Sequence, residues 1–136
     1  MLEAAPARAK ARLSALARGD DLIGTTLDGK YLITGRLGAD ITVEDGQKAA
    51  ALCAVNILTQ AKSALQDLAR IESVVRLNGF VNATPDFTNH PQVIDGASNL
   101  IAHVLGEAGQ HTRVAVGVAS LPFGAAVEID AVLQIV

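Results

Sequence analysis

The sequence predicts an α+β fold: a mixed β-sheet with two helices packed on one of its faces. Three observations predict it. Apolar residues recur at helical spacing from Ala50 to Leu68 and again from Val93 to Leu105. A run rich in Val, Ile, Leu and Phe at 71–82 and a Val/Ala run at 113–121 follow those two helical stretches in turn. The last stretch alternates strictly, with Val127, Ile129, Ala131, Leu133 and Ile135 set against Glu128, Asp130, Val132 and Gln134. Helices gathered on one face leave the other face of the sheet bare. The chain has 136 residues, of which 50% are hydrophobic and 18% charged, more apolar surface than one small core hides, so self-association is expected.

Taken in order, residues 1–21 form an Ala/Arg-rich N-terminal helix or arm, and residues 22–136 form the α+β domain. Residues 6–18 are rich in helix formers, Ala9, Leu13, Leu16 and Ala17 make a thin apolar stripe, and Gly19 is a natural stop. Residues 22–26 and 30–34 are short apolar or β-branched runs joined through Leu27-Asp28-Gly29, and Asp-Gly favours the tight turn of a hairpin. Gly35, Gly38 and Asp40 make an irregular connection. Thr42 is suited to cap a helix, with Glu44 and Asp45 in the first turn, where the helix dipole favours anions. The helix then runs to Leu68 through Ala50, Cys53, Ala54, Ile57, Ala61, Ala64 and Leu65, and its alanines allow close approach to a sheet. Residues 71–82 are a strand ended by Thr84-Pro85-Asp86. Pro91 opens the second helix, and Gly106 and Gly109 stop it. Residues 113–121 form a strand, Pro122-Phe123-Gly124 a turn, and the alternating run after it the last strand, so the final two strands read as a hairpin.

The length suits one domain. The hydrophobicity excludes a disordered chain. The longest near-uniform apolar run is 49–58, interrupted by Asn56, far short of the ~20 residues a spanning helix needs, so no membrane partner is expected. A net charge of -3 with a pI of about 5.5 speaks against nucleic acid. Cys53 is the only cysteine, which suits a reducing, cytoplasmic compartment. Residues 1–19 lack the continuous apolar region of a secretory signal. Arg8, Lys10, Arg12 and Arg18 leave a mitochondrial destination as the alternative.

Several motifs resolve to structural roles. Gly24-Thr25-Thr26-Leu27-Asp28-Gly29-Lys30 fits the first seven positions of a phosphate-binding loop, but Tyr31 stands where a Ser or Thr must reach magnesium, and a strand follows instead of a helix. His103, Glu107 and His111 are spaced by fours, yet Gly106 and Gly109 break the helix that would align them, so no metal is assigned. Cys53 sits on an apolar helix face and reads as a buried structural thiol. Asn82-Ala83-Thr84 matches a glycosylation acceptor but carries no meaning without a secretory signal. Arg113 and Glu128 differ from these. Arg113 heads a strand that is otherwise mostly Val, Ala and Gly, Glu128 sits in the next strand where an apolar residue would cost less, and in a hairpin closed by Pro122-Phe123-Gly124 the two fall on one ladder. Such an Arg can pin a carboxylate through its fork of donors, and such a Glu can orient water or shuttle a proton. A cross-strand salt bridge or a solvent-facing pair fits the spacing equally well.

The stretch from Arg113 through Leu121-Pro122 to Val127-Glu128-Ile129 resembles the C-terminal signature of the Rid family, the reactive-intermediate deaminases also called YjgF or L-PSP. Val75-Arg76-Leu77-Asn78-Gly79-Phe80-Val81-Asn82, Pro85-Asp86-Phe87, Pro91-Gln92-Val93 and Asp95-Gly96-Ala97-Ser98 resemble one branch of that family, and the likeness runs from about Asp28 to the end. The resemblance implies a chorismate-mutase-like fold, a homotrimer with clefts between subunits, and hydrolysis of small 2-imino acids such as 2-aminoacrylate to 2-keto acids and ammonia without metal or organic cofactor. It puts Arg113 on the substrate carboxylate, Glu128 on the hydrolytic water, and the backbone of Ala115 where the family commonly has Cys. The alternative it leaves is a non-catalytic module that binds a 2-keto acid or similar carboxylate in the same cleft. An endoribonuclease, a third reading, ranks last on charge.

Overall fold

Residues 33–136 are described in full by the computed structural model, together with the backbone of three strands before them: β1 (Ala9–Leu16), β2 (Arg18–Gly19) and β3 (Tyr31–Leu32). The remaining elements are α1 (Val43–Leu65), β4 (Ile71–Asn82), α2 (His90–Leu105), β5 (Thr112–Val118) and β6 (Val127–Ile135).

Local chemistry sets the helix ends. The Thr42 hydroxyl accepts a hydrogen bond from the Asp45 N–H at 3.1 Å and opens α1, with Glu44 and Asp45 in its first turn as expected. The helix ends at Leu65, three residues before the expected Leu68, because Gln66 adopts φ 68 and closes it with an N–H to the Lys62 carbonyl. Asp67 then accepts from the Ala69 N–H at 2.9 Å and starts a separate short turn over Leu68–Arg70. Pro91 lies in the first turn of α2, and Gly106 at φ 60 caps its end.

The main sheet has the order β1-β6-β4-β5, with β4 and β5 parallel and the other pairs antiparallel. The sheet is mixed and the helices cover one face, as the patterning predicts. Two expectations are corrected. First, β5 and β6 are not a hairpin, because β4 lies between them. The α2 crossover from β4 returns the chain to the same end, which makes β5 the parallel neighbour of β4 and leaves the other edge of β4 to β6. The turn after Pro122 is anchored instead to distant chain, with Gly35 N–H donating to Gly124 O and Ala126 N–H to Ile33 O. Second, the N-terminal helix or arm expected over 6–18 contains strand β1, paired with β6 from Ala9↔Ile135 to Leu16↔Glu128. Ala9, Ala11, Leu13 and Ala15 alternate with Lys10, Arg12 and Ser14, so the stretch carries a period of two as well as helix formers. The unpaired edge of β6 decides between them, because open backbone groups there gain a partner.

The expected hairpin of residues 22–26 with 30–34 and the phosphate-loop-like run from Gly24 fall largely outside the described residues. Within them, Tyr31–Leu32 pairs with Arg18–Gly19. No helix among the described residues is long and apolar enough to cross a membrane.

The core lies between the helices and the sheet. Ala50, Ala54 and Ile57 of α1 and Ile94 and Ala97 of α2 are buried with Leu77, Val81, Ile129 and Leu133 of the strands. Two glycines make that closeness possible. A Cβ on Gly79 would lie 2.6 Å from Ile94 Cδ1, and one on Gly96 would strike the Gln47 backbone of α1, 2.8 Å from its carbonyl carbon. The other face carries no helix: Val114 and Val116 are 38% and 43% exposed, and Asn78 Nδ2 donates to Asp130 Oδ1 at 2.6 Å.

Cys53 is fully buried and its Sγ donates to Val127 O at 3.6 Å. Burial, and secondarily the charge of Glu128, push its thiol well above the ordinary thiol range. Because the folded value is the higher one, its contribution to stability is complete below the unfolded thiol's titration and is lost as pH rises through and above it. Dithionitrobenzoate is therefore expected to leave Cys53 unmodified in native protein at pH 8, with labelling appearing only in step with unfolding by urea.

Candidate functional site

β5 is an edge strand whose alternate residues Arg113, Ala115 and Gly117 face α2. Gly117 permits the contact at one end, where a Cβ would sit 2.5 Å from His90 Nε2. At the other end Arg113 turns its guanidinium onto the helix. Nη1 donates to Ser98 Oγ at 2.9 Å, and Nη2 donates to Asp95 Oδ1 at 2.7 Å and to Pro91 O at 3.2 Å. Asp95 and Ser98 are three residues apart, so one face of α2 presents both. The Arg113 side chain remains 25% exposed and that of Asp95 44% exposed. Ser98 Oγ also lies 2.8 Å from His111 Nε2, and His111 Nδ1 lies 2.6 Å from Gly109 O. The result is one continuous chain of groups: Asp95, Arg113, Ser98, His111 and the Gly109 carbonyl.

A guanidinium has five N–H donors. Three are engaged here, which leaves the Nε–H and one Nη1–H. Those two do not form one fork, so a ligand carboxylate gains a two-point contact only by displacing one of the present partners, of which Asp95 is the competing carboxylate.

Of the residues singled out in the sequence, Arg113 and Ala115 share this face. Glu128 does not join them. Arg113 pairs with Leu77 of β4, whereas Glu128 pairs with Phe80 from the far side of β4, three positions along. Two strand spacings and three residues put the Cα atoms about 14 Å apart. Strand alternation turns Glu128 to the face opposite the helices, between the buried Val127 and Ile129. The common ladder expected for the pair followed from the hairpin reading and falls with it. Gly106 also breaks the fourfold spacing of His103, Glu107 and His111, and His111 turns to Ser98 instead. No group of three metal-ligating side chains occurs among the described residues.

Asp95, Ser98 and the bonded role of His111 were not assigned from the sequence. The signal was present: Asp-x-x-Ser on a helix face, and a His just before the strand that carries the Arg. Arg36 was missed too. Its Nη2 donates to Ala83 O at 3.2 Å, and it lines a cavity of about 320 Å³ with Phe87, His90 and Gly117 at the far end of β5. A larger apolar groove of about 920 Å³ between α1 and α2, lined by Leu58, Leu100 and Val104, holds none of the Arg113 network.

Comparison with known proteins adds to this geometry. Residues 19–131 match the family model described as "YjgF/chorismate_mutase-like, putative endoribonuclease". The chain is 54% identical over 104 residues to Protein TCP17 of Trypanosoma cruzi, a match covering 76% of this chain and 65% of that protein's length. Among solved structures it resembles the protein Atu1372 of Agrobacterium tumefaciens, of unknown function, at 51% identity and a TM-score of 0.82, over 91% of this chain and 74% of that one. It also resembles a protein of Shewanella oneidensis MR-1 that carries the same endoribonuclease description, at 29% identity and a TM-score of 0.81, over 98% of this chain and 82% of that one. The mixed sheet under two helices agrees with a family match spanning most of the sequence: the chain belongs to the YjgF/chorismate mutase-like family, the Rid family.

Proposed function

We propose that the protein is an enamine/imine deaminase that hydrolyses small 2-imino acids to 2-keto acids and ammonia, with Arg113 as the carboxylate anchor. The observation that carries the reading is the Arg113 guanidinium, fixed by three hydrogen bonds at the edge of β5 and still partly open to solvent. A fixed cation spends little entropy on binding and sets a planar carboxylate in one orientation. The imine carbon is electrophilic in itself, so positioning beside water is most of what the reaction needs. The reaction calls on no metal or organic cofactor.

The Ala115 backbone lies on the Arg113 face within one chain, whereas Glu128 keeps its proposed role at the hydrolytic water only in an assembly. Within one chain Glu128 is about 14 Å from Arg113 and on the other sheet face, so a second copy must bring its own Glu128 to this Arg113. The exposed Val114 and Val116 offer an apolar surface for such self-association, in keeping with a homotrimer whose clefts lie between subunits. Sedimentation of the purified protein at micromolar concentration is expected to give three times the chain mass, and a monomer would remove Glu128 from the site. The setting proposed is the cytoplasm, and nucleic acid is not proposed as a partner.

A second reading is favoured by Asp95, which already holds the guanidinium: a module that binds a 2-keto acid without turning it over. The two separate on turnover. Both predict that Asp95→Asn strengthens binding, because the competing carboxylate is removed while an amide oxygen still accepts from Arg113. The expected result is a Kd for pyruvate about 5-fold lower by calorimetry, the scale of one partly exposed ion pair. Unchanged or weaker binding would remove Arg113 from the carboxylate. Production of 2-keto acid from 2-aminoacrylate faster than in buffer then supports the deaminase, and saturable binding without turnover supports the module.

A further inference from the structure

Ser98 sits in the middle of α2 and turns its hydroxyl to two groups at once. Arg113 Nη1, which can only donate, meets Oγ at 2.9 Å, and His111 Nε2 meets it at 2.8 Å. The tautomer of His111 follows from its other nitrogen. Nδ1 lies 2.6 Å from the Gly109 carbonyl, which can only accept, so Nδ1 carries the proton. In the neutral ring Nε2 is then the acceptor, and Ser98 donates to it. Gly109 is held in place, since even a Cβ there would strike the Ile101 carbonyl at 2.6 Å. A base aimed at a hydroxyl and oriented from behind by a fixed acceptor is an arrangement for moving protons. It adjoins the cation that anchors the carboxylate, on the side of the sheet that Glu128 does not reach within the chain.

We propose that Ser98 and His111 form the proton relay of the Arg113 site, Ser98 at the substrate and His111 behind it as the store of the proton; this rests on the deaminase reading above. The substrate enters as the iminium, C=NH₂⁺. Water forms a C–O bond to the carbon, and the C=N π pair moves to nitrogen. One water proton passes to Ser98 Oγ as Ser98 gives its own to His111 Nε2, which leaves a neutral carbinolamine. The proton returns through Ser98 to the amine. The C–N bond then breaks with its pair on nitrogen, and the hydroxyl proton leaves to the departing ammonia as C=O forms. The sum is C=NH₂⁺ + H₂O → C=O + NH₄⁺. Arg113 favours Ser98 as a donor by placing positive charge against its oxygen. The other charged or titratable groups on the surrounding elements are His90, Asp95 and His103 on α2, Glu107 on the turn before His111, and Glu72 and Arg76 on β4.

The alternative is a staple that merely joins α2 to β5. Kinetics of the full-length protein on 2-aminoacrylate separate the two. His111→Gln keeps hydrogen-bonding atoms near both partners but cannot exchange a proton, and Ser98→Thr keeps the hydroxyl that Ser98→Ala removes. The relay predicts that His111→Gln and Ser98→Ala lower kcat about 100-fold with KM within about twofold, the scale of one acid–base group. It also predicts that His111→Gln abolishes the acidic limb of the pH–rate profile, and that Ser98→Thr retains most of the activity. Wild-type turnover with kcat and pH profile unchanged in His111→Gln would overturn the relay and leave the deaminase standing. A folded wild type that does not accelerate hydrolysis would overturn both.

Discussion

Gly96→Ala is expected to lower the urea midpoint of unfolding sharply. In isolation the change favours a helix by about 1 kcal/mol. The contact with α1 opposes it: the new methyl would lie 2.8 Å from the Gln47 carbonyl carbon and 2.9 Å from its Cα. These are backbone atoms in the first turns of α1, so no side-chain rotation relieves the overlap. Separating the helices also opens the packing of Ala50, Ile94 and Ala97. Overpacking of this kind costs about 3 kcal/mol or more, a large part of the total stability of about 5–15 kcal/mol of such a domain. Urea denaturation followed by circular dichroism measures it. A midpoint equal to that of wild type would mean that α1 and α2 are not in backbone contact at Gly96.

Arg113→Ala is expected to lower kcat/KM on a 2-imino acid by about 100-fold, since a charged hydrogen-bond pair to a carboxylate contributes about 3 kcal/mol. The same substitution strips Asp95 and Ser98 of a shared partner, so folding must be verified alongside. Arg113→Lys distinguishes charge from geometry. An ammonium reaches Asp95 or Ser98 but lacks the planar fork that a carboxylate grips once Asp95 gives way. A KM about tenfold above wild type with the fold intact is therefore expected. Full activity in the lysine variant would mean that only charge matters at this position.

The core of the fold was legible because strand β4 and the two helices carry strong periodicities, and 71–82 emerges with the predicted bounds. Pairing was less legible. Neither β1 nor the β5–β6 hairpin could be decided locally: the run 9–16 fits both periods, and the partner of β5 depends on where α2 returns the chain. The site divides the same way. Arg113 stood out as a charge at the head of an apolar strand. Its network did not, because Asp95 and Ser98 meet it only through packing of α2 on β5, and His111 drew attention for a helical spacing that Gly106 interrupts. The family resemblance carried Glu128 as well, but a single chain holds it on the other face.

The most direct measurement is release of 2-keto acid from 2-aminoacrylate, generated in situ by a serine or cysteine lyase, with wild type and Arg113→Ala at equal concentration. Release faster than in buffer is expected for wild type, and release close to the buffer rate for the variant. Release at the buffer rate by folded wild-type protein, or acceleration that survives the loss of Arg113, would contradict this expectation.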